Sequence, residues 1–125
     1  MDENIIANKV IGAAIEVHRT LGPGLLESAY QDCLKYELNR IGLEFESESP
    51  VTLNYKGLIV GEAYRLDLLI EGKVIIELKT VSKLLDIHKI QLLTYLRLTN
   101  KRLGLLINFN EILLKHGINR IVNNL

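Results

Sequence analysis

Apolar residues recur at three- and four-residue steps from about Ile5 to Thr20, where Val10, Ile11, Ala14, Ile15 and His18 share one side of a helical wheel. This spacing predicts a first helix. Leu21-Gly22-Pro23-Gly24 then breaks the pattern with turn formers. A second helix is expected from about Leu25 to Ile41, with Leu26, Ala29, Cys33 and Tyr36 in one stripe and Gly42 as its stop. From Leu43 the period shortens to two. Leu43–Glu48 alternates apolar and acidic residues, and Val51–Tyr55 and Leu58–Val60 flank a hairpin turn at Lys56-Gly57. Tyr64–Ile70 and Lys73–Lys79 read as strands around Glu71-Gly72, Leu85–Thr99 as a third helix, and Leu103–Phe109 as a buried strand. The tail is expected to be short, hairpin-like or irregular. Two helices, an antiparallel meander, a helix and a further strand make a mixed α/β domain on one sheet.

Length and composition agree with a single domain over residues 1–125. The chain is 48% hydrophobic and 24% charged, which suits a packed core. Lys+Arg and Asp+Glu both number 15, so bulk positive charge does not recruit nucleic acid. The zero is uneven: residues 1–50 hold 4 basic against 9 acidic residues, and residues 51–125 hold 11 against 6. That asymmetry fits either an anionic partner for the second half or attraction between the halves. Cys33 is the only cysteine, which excludes an intrachain disulfide or a cysteine-rich zinc site and points to a reduced compartment. With no signal-peptide pattern and no apolar run near ~18 residues, the expected location is cytoplasmic, without membrane contact.

The candidate chemistry lies where charge interrupts apolar strands. Asp67 sits in Arg65-Leu66-Asp67-Leu68-Leu69-Ile70, and Glu77 and Lys79 sit in Val74-Ile75-Ile76-Glu77-Leu78-Lys79. Isolated charges in such strands are costly to bury. Glu77 and Lys79 are two apart and share a face. A three-residue loop at Ile70-Glu71-Gly72 would pair Asp67 with Ile75, bringing Asp67 to that face as a diagonal neighbour of Glu77. Leu66, Leu68, Val74, Ile76 and Leu78 would then form the opposite, core face. Two converging carboxylates suit Mg²⁺ or Mn²⁺, and an adjacent lysine suits water activation or phosphoryl charge. The alternative is an ion-pair network.

On the third helix, Gln91 and Tyr95 are four apart on one face, placed to hydrogen-bond a phosphate or the lysine. Lys79, Lys83, Lys89, Arg97, Lys101 and Arg102 surround this helix against only Asp86, a local basic patch. Lys83, Lys89 and Arg97 are the candidate nucleic-acid contacts; a solvated helix face would look the same.

Asp67, Glu77-Leu78-Lys79 and Gln91-Leu92-Leu93-Thr94-Tyr95 together resemble the Asp…(Glu/Asp)-x-Lys…Gln-x-x-x-Tyr pattern of PD-(D/E)xK nucleases, especially the RecB-like branch. Gly24-Leu25-Leu26-Glu27-Ser28-Ala29-Tyr30 resembles the name pattern of the GxxExxY protein family within that superfamily. The resemblance runs from about Ile11 to Val122. It implies a restriction-endonuclease-like α/β core with a central mixed sheet flanked by helices. It implies metal at Asp67 and Glu77, with the Leu78 carbonyl and Glu27 as further ligands, Lys79 assisting the attacking water, and Gln91 and Tyr95 in support. Glu27 also suits a helix N-terminus on its own account, Tyr30 suits a core, and His18 is either a site residue or structural. Leu66 stands where the superfamily's name has proline. The expected function is metal-dependent cleavage of DNA, or of RNA; a catalytically silent module binding nucleic acid or protein is the alternative. A homodimer is expected, because one small domain offers limited surface to grip a duplex.

Overall fold

Asp2 starts the first helix, its side chain accepting the amide of Ile5 at 2.9 Å. In this computed structural model, which describes Met1–Leu125, α1 spans Glu3–Leu21 and α2 spans Glu27–Arg40. Leu25 and Leu26, expected in the second helix, stay outside it and exposed. The extended region is simpler than its sequence suggests. The four expected segments from Leu43 to Ile70 form two long strands, β1 (Phe45–Tyr55) and β2 (Leu58–Ile70). Pro50 does not end β1, because β1 is an edge strand, where a missing N–H is tolerated. β3 (Val74–Lys79), α3 (Asp86–Thr99) and β4 (Leu103–Asn108) follow as expected. After a short 3₁₀ turn, the tail forms β5 (Ile118–Val122), antiparallel to β4.

The sheet order is β1-β2-β3-β4-β5, and only β3 and β4 run parallel, joined by the α3 crossover. The larger core lies between the sheet and α1/α2 and includes Leu34, Leu68, Ile76, Leu78 and Ile107. The smaller core lies under α3, where Leu92, Tyr95 and Leu96 meet Ile75 and Leu106. This is an α/β fold with a mixed five-stranded sheet flanked by helices, as in a restriction-endonuclease-like core.

Two expectations about the hairpin need correction. The loop between β2 and β3 is Glu71-Gly72-Lys73, with Ile70 paired to Val74. Ile70 is wholly buried, so the apolar residue stays in the ladder and the left-handed positions fall on Glu71 (φ 52) and Gly72 (φ 65). This register differs by two residues from the expected one. A shift of two preserves the side-chain parity, so the shared face of Asp67 and Glu77 is kept. The second correction is Leu66, which packs under α3 while Leu68 packs against the other core. Residues two apart in β2 thus face opposite sides. β1 does the same, with Phe45 toward α1/α2 and Val51 toward α3. Both strands switch faces at one rung, where Glu48 takes a left-handed φ of 53 and Asp67 lies across from it.

Candidate metal centre

The face switch prises β2 away from β3 just where the acids stand. Regular pairing ends at Leu68 and Ile76, and the next rung of that register sets Asp67 across from Glu77. There the side chains replace the ladder. Glu77 Oε2 accepts the amide of Asp67 at 2.9 Å, and Asp67 Oδ2 accepts the amide of Leu78 at 2.8 Å. The N–H and C=O of one strand residue point the same way, so the Leu78 carbonyl also faces the Asp67 side. Tyr64, on β2, donates its hydroxyl to Glu77 Oε1 at 2.9 Å.

Burial is the main electrostatic fact. It pushes the Glu77 carboxyl up to about 8, with nearby Asp67 adding to the rise. Burial likewise raises Asp67, and Glu48 adds to it, against the Leu78 amide and Lys79. Glu27, the first residue of α2, is raised by burial and then by Asp67. Lys79 lowers all three. Three carboxylates therefore converge electrostatically on one ammonium.

A hard divalent cation fits this donor chemistry. Lys79 alone does not offset the burial of the Asp67–Glu77 pair, and Asp67 keeps an oxygen without a protein hydrogen bond. The set is incomplete as it stands: no three His, Cys, Asp or Glu side chains are grouped closely enough to hold an ion. A bound ion would have to take its remaining ligands from groups beyond these two side chains, such as the Leu78 carbonyl, Glu27, water or substrate.

The other expected residues divide. Tyr95 is buried and reaches the acids through Tyr64, whose ring stacks on it with centroids 4.0 Å apart. Gln91 is exposed on α3 and makes no side-chain hydrogen bond in this structure. Lys83, Lys89 and Arg97 are exposed and in no ion pair. Arg102 leaves the expected patch, because it pairs with Glu3 at 2.9 Å. That is the one ion pair joining the acidic and basic halves; the other four link residues three apart. His18 binds the Glu111 carbonyl at 2.7 Å through Nε2 rather than any of the acids. Tyr30 is fully buried, stacks on Phe109 at 4.5 Å, donates to the Gly22 carbonyl at 2.6 Å and accepts from the Leu25 amide at 3.1 Å. It pins the turn that delivers Glu27.

Three contributors escaped the sequence reading. Tyr64 holds Glu77, as described. Gln31 on α2 is buried and donates to Glu48 Oε1 at 3.2 Å and to the Asp67 carbonyl at 3.3 Å, tying α2 to the switch rung. Asn108, fully buried, clasps both the amide and the carbonyl of Val81 at 3.1 and 2.8 Å, fixing the chain after Lys79. Asn108 carried a readable signal, a polar residue ending an apolar strand.

The family model described as the PD-(D/E)XK nuclease superfamily matches residues 4–121. No curated protein and no solved structure matches the chain.

Proposed function

The chain belongs to the PD-(D/E)XK nuclease superfamily, and on that premise we propose that it is a divalent-metal-dependent nuclease hydrolysing phosphodiester bonds in DNA. One observation carries the reading: a buried Glu77 beside a half-buried Asp67 and Lys79, with the Glu77 carboxyl pushed up to about 8 by burial and by Asp67. Within the superfamily, Gly24-Leu25-Leu26-Glu27-Ser28-Ala29-Tyr30 favours the GxxExxY proteins. Asp67 and Glu77 hold Mg²⁺ or Mn²⁺, with the Leu78 carbonyl and Glu27 completing the protein's share. The ion supplies Lewis acidity and a more acidic water. Lys79 shares the Glu77 face of β3, where its ammonium orients the attacking water and offsets charge on the phosphate. Tyr64 and Tyr95 keep the Glu77 carboxylate from rotating away. Lys83, Lys89 and Arg97 hold the phosphate backbone by charge, so affinity falls with salt. Two copies would present two such sites to a duplex.

Cleavage of single-stranded, duplex and branched DNA, and of RNA, with Mg²⁺ or Mn²⁺ tests this. Wild type cuts; Asp67→Asn and Lys79→Met lose at least ~100-fold. Equal rates in all three sink the site, and a preference for RNA corrects the substrate.

A second reading draws on the hydrogen bonds at the acids. Asp67 and Glu77 already cap backbone amides, as residues with a purely structural duty would. The chain is then a silent nuclease-fold module binding nucleic acid or protein. It predicts no cleavage, and salt-dependent DNA binding that survives Glu77→Ala and weakens with Lys89→Ala and Arg97→Ala.

A further inference from the structure

Two apolar surfaces on the α3 side of the sheet have no partner within the chain. Between Val51 and Leu53 the ladder to β2 shifts register, with the left-handed residue, Glu62, on β2. β1 itself stays extended past the switch rung, so alternation keeps Leu53 and Tyr55 on the face of Val51, which is buried in the core under α3. The register sets Val60 opposite Leu53 and Leu58 opposite Tyr55, and paired residues share a face. This face of the outer ribbon is wholly apolar, yet Tyr55 is 57% and Leu58 63% exposed. α3 repeats the anomaly. Leu92, Tyr95 and Leu96 form its buried stripe, while Ile87, Ile90 and Leu98 line the opposite side at helical spacing, 52%, 56% and 41% exposed. A helix apolar on both sides is normally covered on both, and a bare two-stranded ribbon is marginal in water.

Charge selects the occupant. From Thr52 to Ala63 the ribbon carries only Lys56 and Glu62, too little for a nucleic-acid surface. The chain has no net charge, so two copies do not repel. Glu62 on the ribbon is already paired with Arg65, so what the ribbon offers the α3 stripe is apolar surface rather than free charge. Six large side chains at roughly 100 Å² apiece give each copy about 600 Å², near the lower bound for a stable pair. Pro50 in the free edge strand disfavours edge-to-edge strand addition and leaves the faces for contact.

We propose that two copies of this chain pair through this side, the ribbon of each lying across the outer stripe of α3 of the other. The pairing is isologous: each copy gives a ribbon and receives one. It rests on this surface alone and stands whether or not the acids cut.

Light scattering and sedimentation of the full chain, from about 1 to 200 µM, test it. The expected mass at high concentration is twice 14.2 kDa. Leu58→Ser and Ile90→Ser each weaken the dimer at least ~10-fold, with the circular dichroism of the dilute chain unchanged. Leu113→Ser, at an exposed apolar residue on a different loop, leaves the dimer intact. With Cys33→Ser in both partners, Leu58→Cys mixed with Ile90→Cys forms a disulfide between the two chains when oxidised glutathione is added, which is reduced in exchange. A wild type monomeric throughout, or a dimer indifferent to both serine variants, overturns the proposal. So does a ribbon variant that loses DNA binding while its mass is unchanged, which would make the ribbon a nucleic-acid surface.

Discussion

Asp67 and Glu77 cap each other's strands, Glu77 taking the amide of Asp67 and Asp67 the amide of Leu78. Removing either acid therefore opens the sheet as well as the site. Asp67→Ala and Glu77→Ala leave a part-buried N–H unpaired and lose about 1–3 kcal/mol. Asp67→Asn and Glu77→Gln keep an oxygen acceptor and drop the unfavourable charge, so they match or exceed the wild type. Thermal unfolding in EDTA at pH 8 separates the two pairs; a stable Asp67→Ala protein would contradict the capping role.

Glu77 gives the metal-free protein a pH dependence of definite sign. Its folded value, about 8, lies above the ordinary glutamate value of 4.5. The folded chain therefore holds a proton that the unfolded chain releases. The associated stability is full below about 4.5 and is lost as pH rises through about 8. Asp67 is raised as well and acts in the same direction. At about 1.4 kcal/mol per pKa unit, the loss across that window reaches a few kcal/mol. Denaturant titrations in EDTA show this decline in wild type and a flatter profile in Glu77→Gln.

Because Glu77 holds its proton near neutrality, cation binding must expel it. Calorimetry with Mn²⁺ in two buffers of different ionisation enthalpy shows proton release below pH 8, with affinity rising toward that pH. Asp67→Asn lowers the affinity at least ~10-fold. Binding without proton release places the ion elsewhere.

Tyr64 and Tyr95 have separable roles. Tyr64→Phe keeps the stack and loses the hydrogen bond to Glu77, costing about 1 kcal/mol. Tyr95→Ala removes buried ring surface and costs about 3–5 kcal/mol. Tyr64→Phe weakens Mn²⁺ binding more than its small stability loss suggests, because Glu77 loses a restraint. Equal binding by Tyr64→Phe and wild type would reduce Tyr64 to a packing residue.

Gly104 sets the height of α3 over the sheet. A Cβ there would meet Leu92 Cδ1 at 2.9 Å. Leu92 is buried and has little room to yield, so Gly104→Ala destabilises by about 1–3 kcal/mol. Chemical denaturation measures this, and adding Leu92→Val recovers part of it.

Much of the architecture was legible in periodicity, because three helices and a buried strand carry uninterrupted 3.6- or near-continuous apolar patterns. The two acids and the lysine stood out because charge in an apolar strand is costly, and their shared face survived a register error of two. The register itself was hidden: Ile70 fits a loop or a ladder locally, and only burial against the helices decides. The face switch was hidden too. Its left-handed residue is Glu48 rather than a glycine, so no composition marks it. Tyr64 reaches Glu77 only because of that switch, which is why local sequence did not reveal its contact. Pro50 read as a boundary because its tolerance depends on lying at the sheet's edge.

The switch rung at Glu48 and Asp67 also divides the hairpin into a fixed root and a free arm. Residue pairs inserted or deleted symmetrically near Lys56-Gly57 lengthen or shorten the arm while the root keeps its place. A single residue inserted between Glu48 and Val51 turns Val51, Leu53 and Tyr55 over together, away from α3. The length of the arm is thus free to drift in steps of two while the root stays in phase with the helices on either side.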